Sequence, residues 1–324
     1  MGGGRACARA IACSVAVTAL CFALPGCGSS APRRVTLILD FTPNAVHAGI
    51  YRALAAGYYR KAGIDLKVVQ PTSTQETLKL IDAGRAQFGL ADGSDVAALI
   101  DKGGDAQAVM ALVGRPLGGL IALRSERLRS PAGLAGKTVG VTGVPSDLAV
   151  LDTELRHSGV DPKRVRVATV GFDGGRALLA GRIAAFTGFI PDDGVALSVS
   201  GHPIEAFALD RYGGPAYPGL VAFTTRSLIH SDPGLVRAFV AATVHGYRDT
   251  LAYPARSLAE LQAANPTLPP KLTRVSLGLY LPLFDRSGAI ASASVREMSS
   301  WMLGARLIGV PISPNRYGAN AFLP

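Results

Sequence analysis

The stretch Leu37-Ile-Leu-Asp-Phe-Thr-Pro-Asn-Ala-Val-His-Ala-Gly-Ile-Tyr51 sets the reading of the whole chain. With Val35 before it, it opens as an apolar run, predicted to be a buried strand over 35–40. Thr42-Pro43 turns the chain. Asn44 is placed to cap a helix, because its side-chain oxygen can accept a hydrogen bond from a free backbone N–H of the first turn. The helix should run to Ala56, where Gly57 supplies a left-handed stop. Val46, Ile50, Ala53 and Leu54 recur at helical spacing and should face a core, while His47 and Tyr51 sit four apart on a neighbouring face. A strand that feeds such a turn delivers polar groups to the carboxyl end of a sheet, where open α/β folds bind ligands.

Outward from this stretch the alternation continues. Strands are expected at 64–69, 87–91, 106–113 and 119–123. A helix is expected at 73–83, and another, capped by Asp92-Gly-Ser-Asp95, runs through Ile100. The order restarts after Leu134, with a strand at 138–141 and the turn Gly143-Val-Pro-Ser-Asp147. Ser146 is expected to be the N-cap of a helix at 147–158. A strand at 165–170, a short helix at 174–179 and a strand at 183–189 follow. Both halves read βαβαβ and carry a matching junction, Ala83-Gly-Arg85 and Ala180-Gly-Arg182. Strands and helices of these lengths in alternation imply parallel sheets with right-handed crossovers, in two similar halves. A later strand at 220–225 precedes a helical region with elements at 232–252, 257–264, 270–282 and 292–305. The tail ending in Phe322-Leu323-Pro324 is expected to dock, since its apolar residues would otherwise face water.

The first 27 residues stand apart. Arg5 and Arg9 precede an apolar run from Ala10 to Leu24, too short for the ~20 residues that span a bilayer. The pattern is that of a secretory signal. Its end, Leu24-Pro-Gly-Cys27, resembles a bacterial lipobox, with Pro25 in place of the usual small residue. Residues 1–27 are therefore read as a lipoprotein signal peptide with Cys27 lipidated, and 28–34 as a linker. Acyl chains add about 0.8 kcal/mol per buried CH₂, so two or more give a stable tether. All four cysteines, Cys7, Cys13, Cys21 and Cys27, lie at or before that point. The mature body then has no disulfide, no cysteine-based zinc site and no cysteine nucleophile.

The chain is 324 residues long and carries a net charge of +10. Without Arg5 and Arg9 the count is 31 basic against 23 acidic residues. A basic surface can sit near anionic lipid or draw an acidic ligand. The basic residues are scattered, with no run longer than Arg33-Arg34 and no interleaved aromatics, so nucleic-acid binding is not expected.

The chain lacks G-x-x-x-x-G-K-[ST], G-x-S-x-G and H-E-x-x-H patterns. Its five histidines show no ligand-spaced pair, and no metal or cofactor is expected. Asp192-Asp193 after a strand reads as a solvated turn or as a contact at the edge of a cleft. What remains are strand-end turns rich in small and polar residues, able to surround a small ligand if two halves direct them at one cleft. Asp40 either holds its turn or pairs with a ligand amine. Phe41 is either core or a stacking face for a planar ligand. Asn44 caps its helix or also touches ligand. His47 is an ordinary satisfied histidine or, neutral near a helix start, both donates and accepts hydrogen bonds in the cleft. The candidate ligand-binding set is Asp40, Phe41, Asn44, His47, Asp92, Ser94, Gly143, Ser146, Asp147 and Phe189.

Asp40-Phe-Thr-Pro-Asn44, His47, Gly57-Tyr-Tyr59 and Gly63-Ile-Asp-Leu66 together resemble the start of the NMT1/THI5-like family. The likeness continues through Gln70-Pro71, Ala83-Gly-Arg-Ala-Gln-Phe-Gly89, Gly159-Val-Asp-Pro162 and Val170-Gly-Phe-Asp173. Later it includes Asp232-Pro-Gly-Leu-Val-Arg-Ala-Phe239 and Asn320-Ala-Phe-Leu-Pro324. The resemblance implies an α/β, bilobed type II periplasmic-binding-protein fold, two doubly wound lobes joined by a hinge. It would place 35–122 plus 221–324 in lobe 1 and 123–220 in lobe 2. It further implies an exported binding protein, without catalytic residues, that delivers a solute to an ABC permease and its ATPase.

Ligands in characterised branches are thiamine-pyrimidine precursors or riboflavin; more distant relatives take sulfonates, taurine or nitrate. The family's usual Trp is Phe41 here, and Phe189-Ile-Pro-Asp192 is more apolar than in pyrimidine binders. In the eukaryotic branch that makes the pyrimidine, the position matching His47 takes part and a Cys-rich motif is present; the latter is missing here. The expectation is thus a monomeric lipoprotein on the extracytoplasmic face of the cell membrane, capturing a small planar heterocycle. The alternatives are a pyrimidine-synthesis enzyme, or a binder of sulfonate, taurine, nitrate or riboflavin.

Overall fold

Among the residues described by the computed structural model, 1–4 and 31–324, ten strands form two five-stranded sheets of one plan. Cys27 and the proposed signal segment beyond residue 4 lie outside the described residues. The first sheet contains β1 (Arg33–Ile38), β2 (Ile64–Val69), β3 (Phe88–Ala91), β4 (Gln107–Val113) and β10 (Leu220–Thr224), in the order β2-β1-β3-β10-β4. The second contains β5 (Gly118–Leu123), β6 (Thr138–Val141), β7 (Arg166–Thr169), β8 (Ala185–Phe189) and β9 (Ile204–Ala208), in the order β7-β6-β8-β5-β9. In each sheet the fourth strand runs antiparallel and arrives from the other lobe: β10 pairs with β3 and β4, and β5 with β8 and β9. The two-lobed α/β architecture expected from the alternation is present.

Strands β3, β4 and β10 of the first sheet read as nearly unbroken apolar runs because helices cover both faces of that sheet. On one face of the first sheet, Phe88 stacks on Phe239 at a centroid distance of 3.8 Å, within a cluster that includes Ile50, Tyr247 and Tyr280. On the other, Phe223 packs with Val96, Met298 and Met302. The helix Ala48–Ala55 lies against the long helix Pro233–Ala252 at glycine distance. A Cβ on Gly49 would come within 2.4 Å of the Tyr247 ring, and one on Gly246 within 2.0 Å of the Gly49 carbonyl oxygen. Tyr247 also donates its hydroxyl hydrogen to the Val46 carbonyl at 2.8 Å. The matching Gly84 and Gly181 take φ of +65° and +67°, each ending a helix before a strand of its own lobe, as the repeated junction implied.

Three details differ from the sequence reading. Strand β5, divided at 122/123 by the expected lobe boundary, lies whole in the second sheet, so the chain crosses at Gly114–Leu117. Local periodicity identifies a strand but carries nothing about which sheet it joins. The return crossing precedes β10, and Arg115 of the first crossing pairs with Asp210 of the second. Strand β9 was not expected; it is a short edge strand after His202-Pro203. Ser146 is not an N-cap: the helix runs Pro145–His157 with Val144 as its cap residue. Proline fits the first helical position, where its missing N–H costs no hydrogen bond.

Candidate functional site

The carboxyl ends of β1, β3, β6 and β8 converge on one cavity between the lobes, of about 90 Å³. That is room for several waters or one small ring. From the first lobe come Asp40, Phe41, Asp92, Asp95 and Tyr217; from the second come Gly118, Thr142, Ser146, Asp147, Phe172, Thr187, Phe189, Asp192 and Asp193, among others. Six aspartates therefore line it. Among the described lining residues there is no Lys, Arg or His.

Four of the six, Asp40, Asp92, Asp147 and Asp193, are held by the turn that presents them. Asp40 follows β1 and accepts a hydrogen bond from Nε2 of His47 at 2.8 Å. Nδ1 of His47 accepts from the Asn44 backbone N–H at 3.1 Å, so the ring proton resides on Nε2. Asn44 Oδ1 in turn accepts from the Val46 N–H at 2.8 Å, closing a capping box in which histidine takes the place of the usual Glu or Gln. Asp92 caps the helix Gly93–Asp101: its Oδ1 accepts from the backbone N–H and hydroxyl of Ser94 at 2.8 and 2.7 Å. Oδ2 of Asp147 collects three donors, the N–H and hydroxyl of Thr142 and the N–H of Gly143, at 2.8, 2.5 and 3.0 Å. Oδ2 of Asp193 accepts from the Phe189 N–H at 2.9 Å. Asp192 accepts from the hydroxyl of Tyr280.

Asp95 is the exception. Ser146 of the opposite lobe hydrogen-bonds to it, yet its Oδ1 has no hydrogen-bond partner within the protein, and the residue is 2 % exposed.

Desolvation, the largest cause, shifts the carboxyls of Asp92, Asp95, Asp147, Asp192 and Asp193 toward their neutral forms. Asp92 and Asp193 are each pushed up to about 6. Asp95 and Asp192 are raised well above the carboxylate range, first by burial and then by neighbouring negative charge: Asp92 acts on Asp95, and Asp193 and Asp40 act on Asp192. Asp147 is raised by burial against the pull of its donors.

The apolar lining is aromatic. Phe41 and Phe172 meet edge to face across the lobes, with centroids 4.4 Å apart. A second, wider cavity of about 420 Å³ lies beyond Phe172 and Val144, lined by Thr72, Ser73, Gln75, Gly143 and Thr169. Gln75 donates to the Gly143 carbonyl there at 2.6 Å, a further contact between lobes.

Of the sequence candidates, the inner cavity brings together Asp40, Phe41, Asp92, Ser146, Asp147 and Phe189. It does not include Asn44, His47 or Ser94, which stand behind Asp40 and Asp92 and orient them. Gly143 lines the outer cavity instead. Asp192 and Asp193, left open between solvated turn and cleft edge, line the cavity. Asp95, Phe172, Thr187 and Tyr217 are outside the candidate set; the turn Asp92-Gly-Ser-Asp95 is among those expected to surround a ligand, but Asp95 itself is not singled out in it. The basic residues that give the chain its net charge of +10 lie outside this cavity. Among the described residues no group of three or more His, Cys, Asp or Glu is placed to hold a metal ion.

Comparison with known proteins agrees with this architecture. The chain is 30% identical over 277 residues to a formylaminopyrimidine-binding protein of Halalkalibacterium halodurans, covering 83% of this chain and 84% of that one. It is 25% identical over 298 residues to a 4-amino-5-hydroxymethyl-2-methylpyrimidine phosphate synthase of Legionella pneumophila, covering 91% and 94%. Among solved structures, the alkanesulfonate-binding protein of Xanthomonas axonopodis pv. citri superposes with a TM-score of 0.69 at 16% identity, covering 88% of this chain and 97% of that one. The model of the family described as NMT1/THI5 like matches residues 44–257, and the chain belongs to that family.

Proposed function

We propose that this chain is the solute-capturing component of an ABC importer, binding a small planar heterocycle of the pyrimidine type between its lobes and handing it to the permease without changing it. In this reading Cys27 carries a lipid anchor, and the protein works as a monomer on the extracytoplasmic face of the membrane.

The observation that carries the proposal is the inner cavity. Flat aromatic side chains, Phe41, Phe172 and Phe189, flank it, and hydrogen-bond acceptors from both lobes point to it. A planar ring bearing amino groups satisfies both features. A sulfonate or nitrate finds six aspartates and, among the described lining residues, no cation to pair with. The rival reading, pyrimidine synthesis, needs a reactive histidine within reach of substrate. His47 is fully buried, has both ring nitrogens engaged, and is not among the described lining residues.

The test is calorimetric titration of the purified mature protein with 4-amino-5-hydroxymethyl-2-methylpyrimidine, a formylaminopyrimidine, riboflavin, an alkanesulfonate and nitrate. A pyrimidine should bind with a Kd in the micromolar range or below, and the two anions should give no heat. If none of the five binds, solute capture of this kind is wrong.

A further inference from the structure

Most hydroxyls around the inner cavity are already paired within the protein. Ser94 and Tyr217 donate to Asp92, Thr142 to Asp147 and Tyr280 to Asp192. Among the buried side-chain oxygens of the described lining residues, two have no hydrogen-bond partner: Oδ1 of Asp95 and Oγ1 of Thr187. Both residues are 2 % exposed. They come from opposite lobes. Asp95 stands in the first turn of the helix Gly93–Asp101, and Thr187 is the middle residue of β8. Neither oxygen serves the local fold. The helix is capped by Asp92, whose side chain takes the Ser94 N–H. In β8, a valine would have the same branched shape as threonine and suit a strand as well. Thr187 is close enough to Asp147 to lower its pKa. Yet Oδ2 of Asp147 already holds three donors, and Thr187 Oγ1 makes no hydrogen bond of normal geometry. A desolvated polar atom without a partner is destabilising, so each of these two calls for a group that the protein does not supply.

Resting on the solute-capture reading above, we infer that Asp95 and Thr187 are the specificity-determining pair of the site. Asp95 accepts an N–H of the ligand on the side of the first lobe, and Thr187 donates its O–H to a ring nitrogen on the side of the second. The cavity, about 90 Å³, is small enough for one ring to reach both walls. An aminopyrimidine carries the two groups required, an exocyclic N–H and ring nitrogens that accept. Both protein atoms are buried before the ligand arrives. A ring that lacks one of the two groups leaves its protein partner unpaired in the closed site, and is rejected more strongly than the loss of one contact implies. A ligand bonded to both residues also ties one lobe to the other, so it favours the closed form. The Thr187 hydroxyl destabilises the empty protein and should help only when ligand is bound. Its removal should therefore weaken binding without weakening the fold.

The test pairs changes in the protein with changes in the ligand. Thr187→Val and Asp95→Leu remove the oxygens and keep the branching of each side chain; Asp95→Asn keeps an oxygen acceptor. The ligands are 4-amino-5-hydroxymethyl-2-methylpyrimidine, its analogue without the 4-amino group, and the two pyridines in which one ring nitrogen is replaced by C–H. Calorimetric titration gives the affinities, and thermal melting without ligand gives the stability. The parent pyrimidine should bind about tenfold more weakly to Thr187→Val and about thirtyfold more weakly to Asp95→Leu, with part of that loss recovered in Asp95→Asn. The analogue without the amino group should bind weakly to the wild type and lose no more than about twofold further in Asp95→Leu. One of the two pyridines should behave in the same way toward Thr187→Val. Ligand-free Thr187→Val should melt at or above the wild type. Variants that bind all four compounds as the wild type does, or that lose the same factor for every compound, would overturn the inference while leaving pyrimidine capture in place. So would a Thr187→Val protein that melts well below the wild type, since its hydroxyl would then serve the fold. A wild type that binds no pyrimidine would remove the capture reading and this inference with it.

Discussion

Tyr280 donates its hydroxyl hydrogen to the carboxyl of Asp192. Tyr280 ends the helix Pro270–Tyr280, packed in the core of the first lobe, and Asp192 lies in the turn Ile190–Gly194 after β8 of the second. The bond is thus a clasp between lobes at the cavity wall. It joins other contacts of the same kind: Gln75 with Gly143, Trp301 with Thr153, Ser146 with Asp95, and Phe41 with Phe172.

Tyr280→Phe keeps the ring that stacks on Phe284 at 5.9 Å and removes only the hydroxyl. The fold should survive, while the closed form loses a donor to a desolvated carboxyl, worth about 1–2 kcal/mol. Ligand affinity should fall by roughly five- to thirtyfold. Small-angle scattering should show a more extended protein at the same ligand concentration. Unchanged affinity together with an unchanged scattering profile would show that the clasp contributes nothing to closure.

His47 is a positioning residue, and its removal should register in stability before it registers in binding. The ring is fully buried and connects the Asn44 N–H to Asp40. His47→Ala loses a capping partner and leaves a cavity, together costing about 2–4 kcal/mol. Thermal melting should fall clearly. His47→Gln, which can reproduce the capping-box bond, should recover part of the loss. Were His47 instead a reagent for pyrimidine synthesis, intact-mass spectrometry after incubation with cofactors would find it altered; the expected result is no change in mass.

The sequence made the fold and half of the site legible for one physical reason: strand-to-helix turns have local signatures. Asp40, Phe41, Asp92, Ser146, Asp147 and Phe189 all lie at or just beyond a strand's carboxyl end, so finding the strand finds them. Thr187 in β8 and Phe172 just after β7 also lie at strand ends, but an apolar strand pattern does not single them out; Tyr217, in the return crossing before β10, reaches the cavity through long-range packing, which no local pattern encodes. Asn44, His47 and Ser94 share the correct turns but spend their side chains on the backbone and on the aspartates beside them. Strand β5 shows the same limit at the scale of the fold: its apolar run announces a strand, while its place beside β8 and β9 depends on residues far off in the chain.

Glu154 should make the protein more stable in mild acid than in base. It is fully buried on the helix Pro145–His157, and burial pushes its carboxyl up to about 9. A carboxyl whose folded pKa exceeds its unfolded value favours the folded state at low pH. That advantage is lost as pH rises from its unfolded value, near 4.5, through about 9. Asp92 and Asp193, each at about 6, add to the same slope at its acid end. Melting temperature should therefore decline from pH 5 to pH 8.5. Glu154→Gln, neutral at every pH, should flatten that decline and melt higher than the wild type at pH 8 by the equivalent of about 2–3 kcal/mol. A difference in melting temperature between the wild type and Glu154→Gln that does not change from pH 5 to pH 8.5 would show that Glu154 does not titrate as its burial requires.

Phe41 offers the sharpest separation of binding from folding. Its side chain is half-buried at the cavity wall and meets Phe172 of the opposite lobe edge to face. An aromatic pair of this geometry is worth about 0.5–1.5 kcal/mol beyond the area it buries, and it forms between lobes, so it acts on closure and not on the core of either lobe. Phe41→Ala should therefore change the melting temperature of the ligand-free protein little, yet weaken ligand binding by about ten- to a hundredfold, since the stacking face and the interlobe contact go together. Phe41→Leu, which restores apolar bulk without a π face, should recover little for a planar ligand. Phe41→Trp should restore most of the affinity, because a larger ring can cover the ligand and still meet Phe172. If Leu rescues binding as fully as Trp, the residue fills space and does not stack, and the ligand need not be planar.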